Sequence, residues 1–455
     1  MIEEVVGYHS ETFAWSTRNT QRRQAKSTAE QSSIVASIMH DAATFQRQFN
    51  LVSSRCFMQF KFPLGRTLMT ALLMIAIQAT STVHAQEDVV ARTADGKLPS
   101  ATKKDDVKKP VGKYEFTVER QLECTDVKSQ DSTGTCWSFA TASFIESELI
   151  RREKGLHNLS EMFIVKNIYR DKARNYVLRQ GKANFSQGAL AHDFISSAQN
   201  YGMVPEEVFS GREDDSKRFD HSEMEAVMLG FLEAVAKQSK LSPKWKIACD
   251  KILDTYMGEA PERFTYRGRS YSAKEFAKSL EFRGQDYASI TSFSHHPFYE
   301  PFVLEIPDNY SNGSFDNLPM DNLIEIIDNA IENGFTVAWD GDVSEKGFSA
   351  ARGIAVLPAD PNRRDVFTQP GEEVKVDQTM RQTNFESLAT TDDHLMHLVG
   401  ISRDQDGNKY YMVKNSWGEI GPYKGFVHIS EMYLRLKTIS IIVHKDAVPP
   451  RLQSK

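Results

Sequence analysis

Two apolar runs near the C-terminus, 394–402 and 409–417, flank Asp404-Gln-Asp-Gly-Asn408, a turn signal that joins them as a β-hairpin. Pairing about that turn brings His394, at the start of the first strand, and Asn415, at the end of the second, within a few residues of each other across the ladder. An imidazole and an amide are thereby presented together. Side chains alternate along a strand, so His397, three residues further on, points to the opposite face from His394, and only one of them can look into a cleft. Phe335-Thr-Val-Ala-Trp339 reads as another strand.

The chain before these strands has helical character. A helix is expected after Gly134, opened by Cys136-Trp137 and carrying Ala140, Phe144, Ile145 and Leu149 as an apolar stripe before Arg151-Arg152. More helix is expected around 159–180 and 187–201, and amphipathic stretches lie at 222–239 and from Pro319 to Asn333. Helices first and antiparallel strands last predict an α+β fold with a cleft between the two halves. A cysteine at a helix start meets unpaired N–H groups and the positive end of the helix dipole, which favour the thiolate. Cys136 is therefore a candidate nucleophile, although an inert buried thiol fits the same position. A nucleophile of this kind takes an imidazole beside it and a third group to orient that ring, and the hairpin offers both.

The 455 residues carry a formal net charge of −6, with 40% hydrophobic and 25% charged residues, as in soluble globular proteins. A mildly acidic chain lacks the positive field that non-specific nucleic-acid binding draws on, so nucleic acid is not an expected partner. Leu68 to Ile77 (LMTALLMIAI) departs from the average: it is almost wholly apolar, follows Lys61 and Arg66, and leads into Val83-His84-Ala85. That order is a secretory signal peptide over 58–85 with cleavage after Ala85, and the run is too short to be a permanent membrane anchor, which needs about 20 residues. Met58 is then the expected start. Residues 1–57 are read as the product of a misplaced start codon or as a polar extension, and 86–112 as an exposed linker. Cleavage leaves Cys124, Cys136 and Cys249, and a Cys124–Cys249 bridge and two free thiols fit equally well.

Gln130-(x5)-Cys136-Trp137-(x)-Phe139-Ala140, then Asp393-His394-(x5)-Gly400, then Lys414-Asn415-Ser416-Trp417-Gly418 resembles the papain-like cysteine peptidases, with Leu159-Ser-Glu161 as a weaker fourth match. The resemblance covers about 115–445 and implies a two-lobed fold, with the nucleophile on a helical lobe and His/Asn on an antiparallel β lobe. It implies Cys136 as nucleophile, His394 as base and acid, Asn415 as orienting amide, Gln130 as oxyanion donor, an imidazolium–thiolate pair at rest, and Trp417 as a shield over the His394–Asn415 bond. Peptides are the implied substrates, by way of a thioester, and that chemistry needs no metal or other cofactor. His394 lies 258 positions after Cys136, and Asn415 lies 279 after it, against about 130–150 in papain itself. A large, mainly helical insertion at about 205–330 is expected within a peptidase domain spanning 113–445. That spacing, together with Thr336-Val-Ala-Trp339, Gly341-Asp-Val343, Pro297-Phe-Tyr299 and Arg381-Gln382, is similar to the bleomycin hydrolase and aminopeptidase C branch. Thr133 stands where papain has a bridging cysteine. The branch implies an aminopeptidase whose C-terminal arm threads the cleft; the tail 446–455, with Pro449-Pro450 to stiffen it, is read either as such an arm or as a frayed terminus. An endopeptidase, a non-catalytic peptide-binding module of the same fold, and self-association as a homo-oligomer stay open at this point.

Overall fold

The computed structural model describes residues 113–212 and 218–453; the N-terminal extension, signal segment and linker lie outside them, as does the α-carboxylate of Lys455. Strand β1 (Thr117–Gln121) leads into helices α1 (Cys136–Arg151), α2 (Glu161–Leu178), α3 (Ala191–Tyr201), α4 (Ser222–Ala236) and α5 (Lys244–Met257). A small hairpin, β2 (Phe264–Tyr266) and β3 (Arg269–Tyr271), precedes α6 (Ala273–Ser279). Then come β4 (Tyr287–Thr291), β5 (Pro301–Val303), β6 (Ser314–Asn317), α7 (Met320–Glu332), β7 (Val337–Gly341), β8 (Phe348–Ser349), β9 (Ile354–Ala355) and α8 (Gln378–Glu386). The chain closes with β10 (His394–Arg403), β11 (Lys409–Lys414), β12 (Phe426–Ser430), α9 (Glu431–Lys437) and β13 (Thr438–His444). No helix among the described residues is long and apolar enough to cross a membrane.

The centre of the sheet runs β4-β13-β7-β10-β11-β12. Strand β10 serves three neighbours: 394–398 pair with β7, 400–403 with β1, and most of its length with β11. Alternation along these strands divides two cores. Ala338, Leu395, Ile439 and Ile442 join the helical core around α1 to α6, while Trp339, Met396, Leu398, Ile441 and Val443 pack on the other side against α7 and α9. Helix α1 is buried from Cys136 through Leu149, so it is the spine between sheet and helices.

Local sequence explains the helix starts. Ser160 caps α2 by accepting the Phe163 N–H at 3.0 Å, Ser272 and Glu275 form a capping box on α6, and Asp377 and Ser430 cap α8 and α9. The insertion is not mainly helical throughout. Helices α4 to α6 and the β2–β3 hairpin occupy 222–279, and β4, β5 and β6 follow and extend the main sheet, with β4 pairing antiparallel to β13. These strands have five residues or fewer, too short for a two-residue periodicity to stand out. Cys124, Cys136 and Cys249 are all free thiols, so no bridge joins Cys124 to Cys249.

The described tail is neither a cleft-threading arm nor a frayed end. After β13, Ala447, Val448 and Leu452 are buried in the α7 core, and Asn329 Nδ2 donates to the Ala447 carbonyl at 2.7 Å. Thr438, at the start of β13, and His394 both pair with Gly341, whereas His444, at the other end, pairs with Tyr287. The tail through Gln453 thus leaves from the far end of β13, roughly 20 Å along the strand from the His394 end.

Candidate active site

Cys136 is the first residue of α1, and Thr135 before it provides no side-chain cap. The approach loop is tied down from both halves. Gln130 N–H donates to the Ser416 carbonyl at 2.8 Å, and Thr133 Oγ1 donates back to the Gln130 carbonyl at 2.7 Å. From the helical side Gln187 accepts the Gly134 N–H at 2.7 Å through Oε1 and the Trp137 indole N–H at 3.0 Å through its carbonyl. Thr133 thus holds by hydrogen bonds the place where papain has a bridging cysteine.

On the sheet side, His394 Nε2 donates to Asn415 Oδ1 at 2.7 Å, which leaves Nδ1 as the ring's acceptor. Both residues are buried. The Trp417 ring lies against His394 with centroids 4.6 Å apart and planes 32° apart. Asn415 Oδ1 also takes the Ser416 N–H, and the Asn415 N–H is held by the Gly425 carbonyl at 3.0 Å. Gln130 is fixed by the same segment: its Oε1 accepts from Ser416 Oγ at 2.7 Å while its Nε2 donates to the Thr133 carbonyl at 2.6 Å. One amide hydrogen of Gln130 remains for another acceptor. Ser416 is the positioning residue that sequence reading passed over, although it stands inside the Lys-Asn-Ser-Trp-Gly motif.

The sulfur of Cys136 lies where the backbone N–H groups of Leu395 and Trp137 reach it. Leu395 follows His394 directly, so the cysteine sits at the head of β10. His397 goes elsewhere. It meets α1 two turns further along, where Ser143 Oγ lies 2.8 Å from its Nδ1 and Lys414 Nζ donates to the same hydroxyl at 2.9 Å. A buried polar seam continues from there: Lys128 pairs with Glu161 at 2.6 Å, and Glu146 accepts from Thr125 Oγ1 at 2.6 Å and from the Leu159 N–H at 2.7 Å.

Burial works against both charges of the expected ion pair. Burial pushes the Cys136 thiol up to about 12, the carboxylates of Asp392 and Asp340 push the same way, and the two backbone N–H groups oppose them. Burial pulls the His394 imidazole down to about 4 against the bond to Asn415. Both shifts favour a neutral thiol beside a neutral imidazole in the closed site.

The Peptidase C1-like family matches residues 192–455, and the papain family of cysteine proteases matches 115–226. The chain belongs to the Peptidase C1-like family. It is a cysteine-type peptidase with a papain-like α+β fold. Aminopeptidase G of Lactobacillus delbrueckii subsp. lactis is 24% identical over 382 residues, covering 73% of this chain and 84% of that protein. Human bleomycin hydrolase is 22% identical over 376 residues, covering 71% and 81%. The crystal structure of PepW from Lactobacillus rhamnosis superposes with a TM-score of 0.60 at 20% identity, over 74% of this chain and 84% of that one. At that identity the likeness establishes the fold.

Proposed function

We propose that this peptidase is an aminopeptidase in which Cys136 is the nucleophile, His394 the base and acid, Asn415 the group orienting the ring, and Gln130 an oxyanion donor. The observation that carries the assignment is the 2.7 Å bond from His394 Nε2 to Asn415 Oδ1, which turns Nδ1 away from the amide while the Cys136 sulfur sits at the Leu395 N–H. Starting from the neutral pair, the Sγ–H proton passes to Nδ1 as sulfur bonds to the scissile carbonyl carbon. The carbonyl oxygen takes the negative charge, faced by the Cys136 N–H and the remaining amide hydrogen of Gln130. The C–N bond then breaks, Nδ1–H gives its proton to the departing amine, and a thioester is left. Water attacks the thioester, its proton going to Nδ1, and the C–S bond breaks to release the acid and restore the thiol.

Aminopeptidase action is supported by the names of the relatives, several of which are aminopeptidases. Export is supported by the apolar run 68–77 with its basic flank and Ala85 exit. A peptide-library digest read by mass spectrometry tests the mode: successive loss of single N-terminal residues is expected, and internal cuts would establish an endopeptidase. Labelling of Cys136 by a peptidyl epoxide separates an enzyme from a binding module. Protein from its own host is expected to begin at Gln86, and an N-terminus before Met58 would refute both the signal and the proposed start.

A further inference from the structure

Three carboxylates that the chemistry above does not use converge beside Cys136. Asp340 projects from β7 on the same side as Ala338, toward the helical core, and pairs across the ladder with Leu395. Asp392 lies two residues before His394, and its carboxyl faces that of Asp340 closely enough for the two to share a proton. Asp308 comes from the loop between β5 and β6 and lies so close to Gly188 that a Cβ there would be 1.7 Å from its Oδ2. Gly188 follows Gln187, the residue that clamps the Cys136 loop.

Their place in the sheet matters. Asn415 and Trp417 follow β11, on one side of β10, whereas Asp340 stands on β7, on the other. A peptide laid across Cys136 therefore has an acidic flank on one side and the Trp417 flank on the other. Asp308 accepts from Asn184 Nδ2 at 3.3 Å and from Ser186 Oγ at 3.4 Å, but the charges of Asp340 and Asp392 are largely uncompensated. Asp340 is 1% exposed, and among the described residues its Oδ1 has no hydrogen-bond donor, nor has Asp392 Oδ2, while Ser440 Oγ donates to Asp340 Oδ2 at 3.0 Å. Among the described residues none of the three carboxylates makes an ion pair. The charge of Lys172 acts on Asp308 and Asp392, but its Nζ is directed to the carbonyls of Ser186 and Gly188 and makes no ion pair with either. Two buried carboxyls face to face need a proton between them, and a substrate cation is the other group that satisfies both.

We propose that Asp308, Asp340 and Asp392 form the pocket that receives an ammonium group of the substrate, placing the substrate's N-terminal part on the β7 flank of Cys136. This rests on Cys136 being the nucleophile. The ammonium is the free α-amino group of the residue being released or the side chain of a lysine one position before the cleaved residue. The described tail does not enter the cleft, so these carboxylates supply the anion an aminopeptidase needs.

The test compares kcat/KM in paired fluorogenic amides of aminomethylcoumarin: alanyl against acetyl-alanyl, and acetyl-lysyl-alanyl against acetyl-leucyl-alanyl. In the Asp340→Asn/Asp392→Asn double variant, the ratio of charged to uncharged substrate is expected to fall by about ten-fold or more, carried by KM. A fall in the first pair assigns the α-amino group, and a fall in the second assigns the lysine side chain. Unchanged ratios in both pairs overturn the proposal. If the double variant does not fold, the unaltered enzyme decides: alaninamide should inhibit about ten-fold more strongly than acetyl-alaninamide, and equal inhibition overturns the pocket. Turnover that survives Cys136→Ala counts against the nucleophile instead, and since the ratios are read on whatever turnover there is, the two failures are told apart.

Discussion

His394 and His397 share a strand and differ in everything around them. His394 bonds to Asn415 under Trp417; His397 is wedged between α1 and Lys414, with its Nε2 unpaired among the described residues. His394→Ala is expected to cost nearly as much turnover as Cys136→Ala, which should leave only background hydrolysis in a folded protein. Asn415→Ala should fall between His394→Ala and the unaltered enzyme, because the amide holds the ring without taking a proton. His397→Ala should keep most of its kcat and lose about 1–3 kcal/mol of stability from the vacated core site. Activity lost with His397 and kept without His394 would reverse the assignment. Asp340 makes a different residue-scale prediction. Burial raises its folded pKa to about 7 from an ordinary 3.8, so the folded protein holds a proton that the unfolded chain gives up as pH rises between those values. Stability contributed by this carboxyl therefore declines with rising pH across that window. Asp340→Asn should melt higher than the unaltered protein at pH 8, with the gap closing by pH 4. Equal melting temperatures at pH 8 would contradict that.

At the scale of elements, much could be read from the sequence because the local signals were strong. The turn at Asp404–Asn408 specifies the β10–β11 pairing, and with it the meeting of His394 and Asn415; the apolar stripe after Gly134 specifies α1. Asp340 and Asp392 were not read. They are 52 positions apart in the chain, brought together by the pairing of β7 with β10, and Thr390-Thr-Asp-Asp393 looks like a solvated turn. A signal was present all the same: a carboxylate inside Val337-Ala-Trp-Asp-Gly341 is out of place in a strand buried on both faces. Gly400, six residues after His394, shows what a motif position can mean physically. A Cβ there would lie 2.4 Å from the Arg120 carbonyl, so glycine lets β1 close against β10 at the bulge that follows Leu398. Gly400→Ala should push β1 away and cost about 1–3 kcal/mol, lowering Tm by a few degrees with little change in KM. An unchanged Tm would mean that β1 gives way freely.

At the scale of the whole molecule, the sheet links catalysis to the chain's end. Strand β13 begins beside Gly341, the partner of His394, and runs to the opposite edge, where the tail covers α7. Resemblance to the bleomycin hydrolase branch makes the tail one candidate source of exopeptidase restriction, beside the insertion at 205–330. Packing gives it another task. Ala447, Val448 and Leu452 are buried, and Arg451 lies on Glu325. Two large aliphatic side chains leaving a core cost about 3–6 kcal/mol at 1.5–3 kcal/mol each. Deleting 446–455 should therefore lower Tm, while the preference for free over acetylated amines, read as the ratio of kcat/KM for the alanyl and acetyl-alanyl amides below the new melting range, should stay as it was. If the truncated enzyme keeps its Tm and gains the acetylated substrate, the tail restricts the cleft after all. If Tm falls and the ratio holds, the restriction belongs to the catalytic end of the sheet, where Asp340 and Asp392 stand.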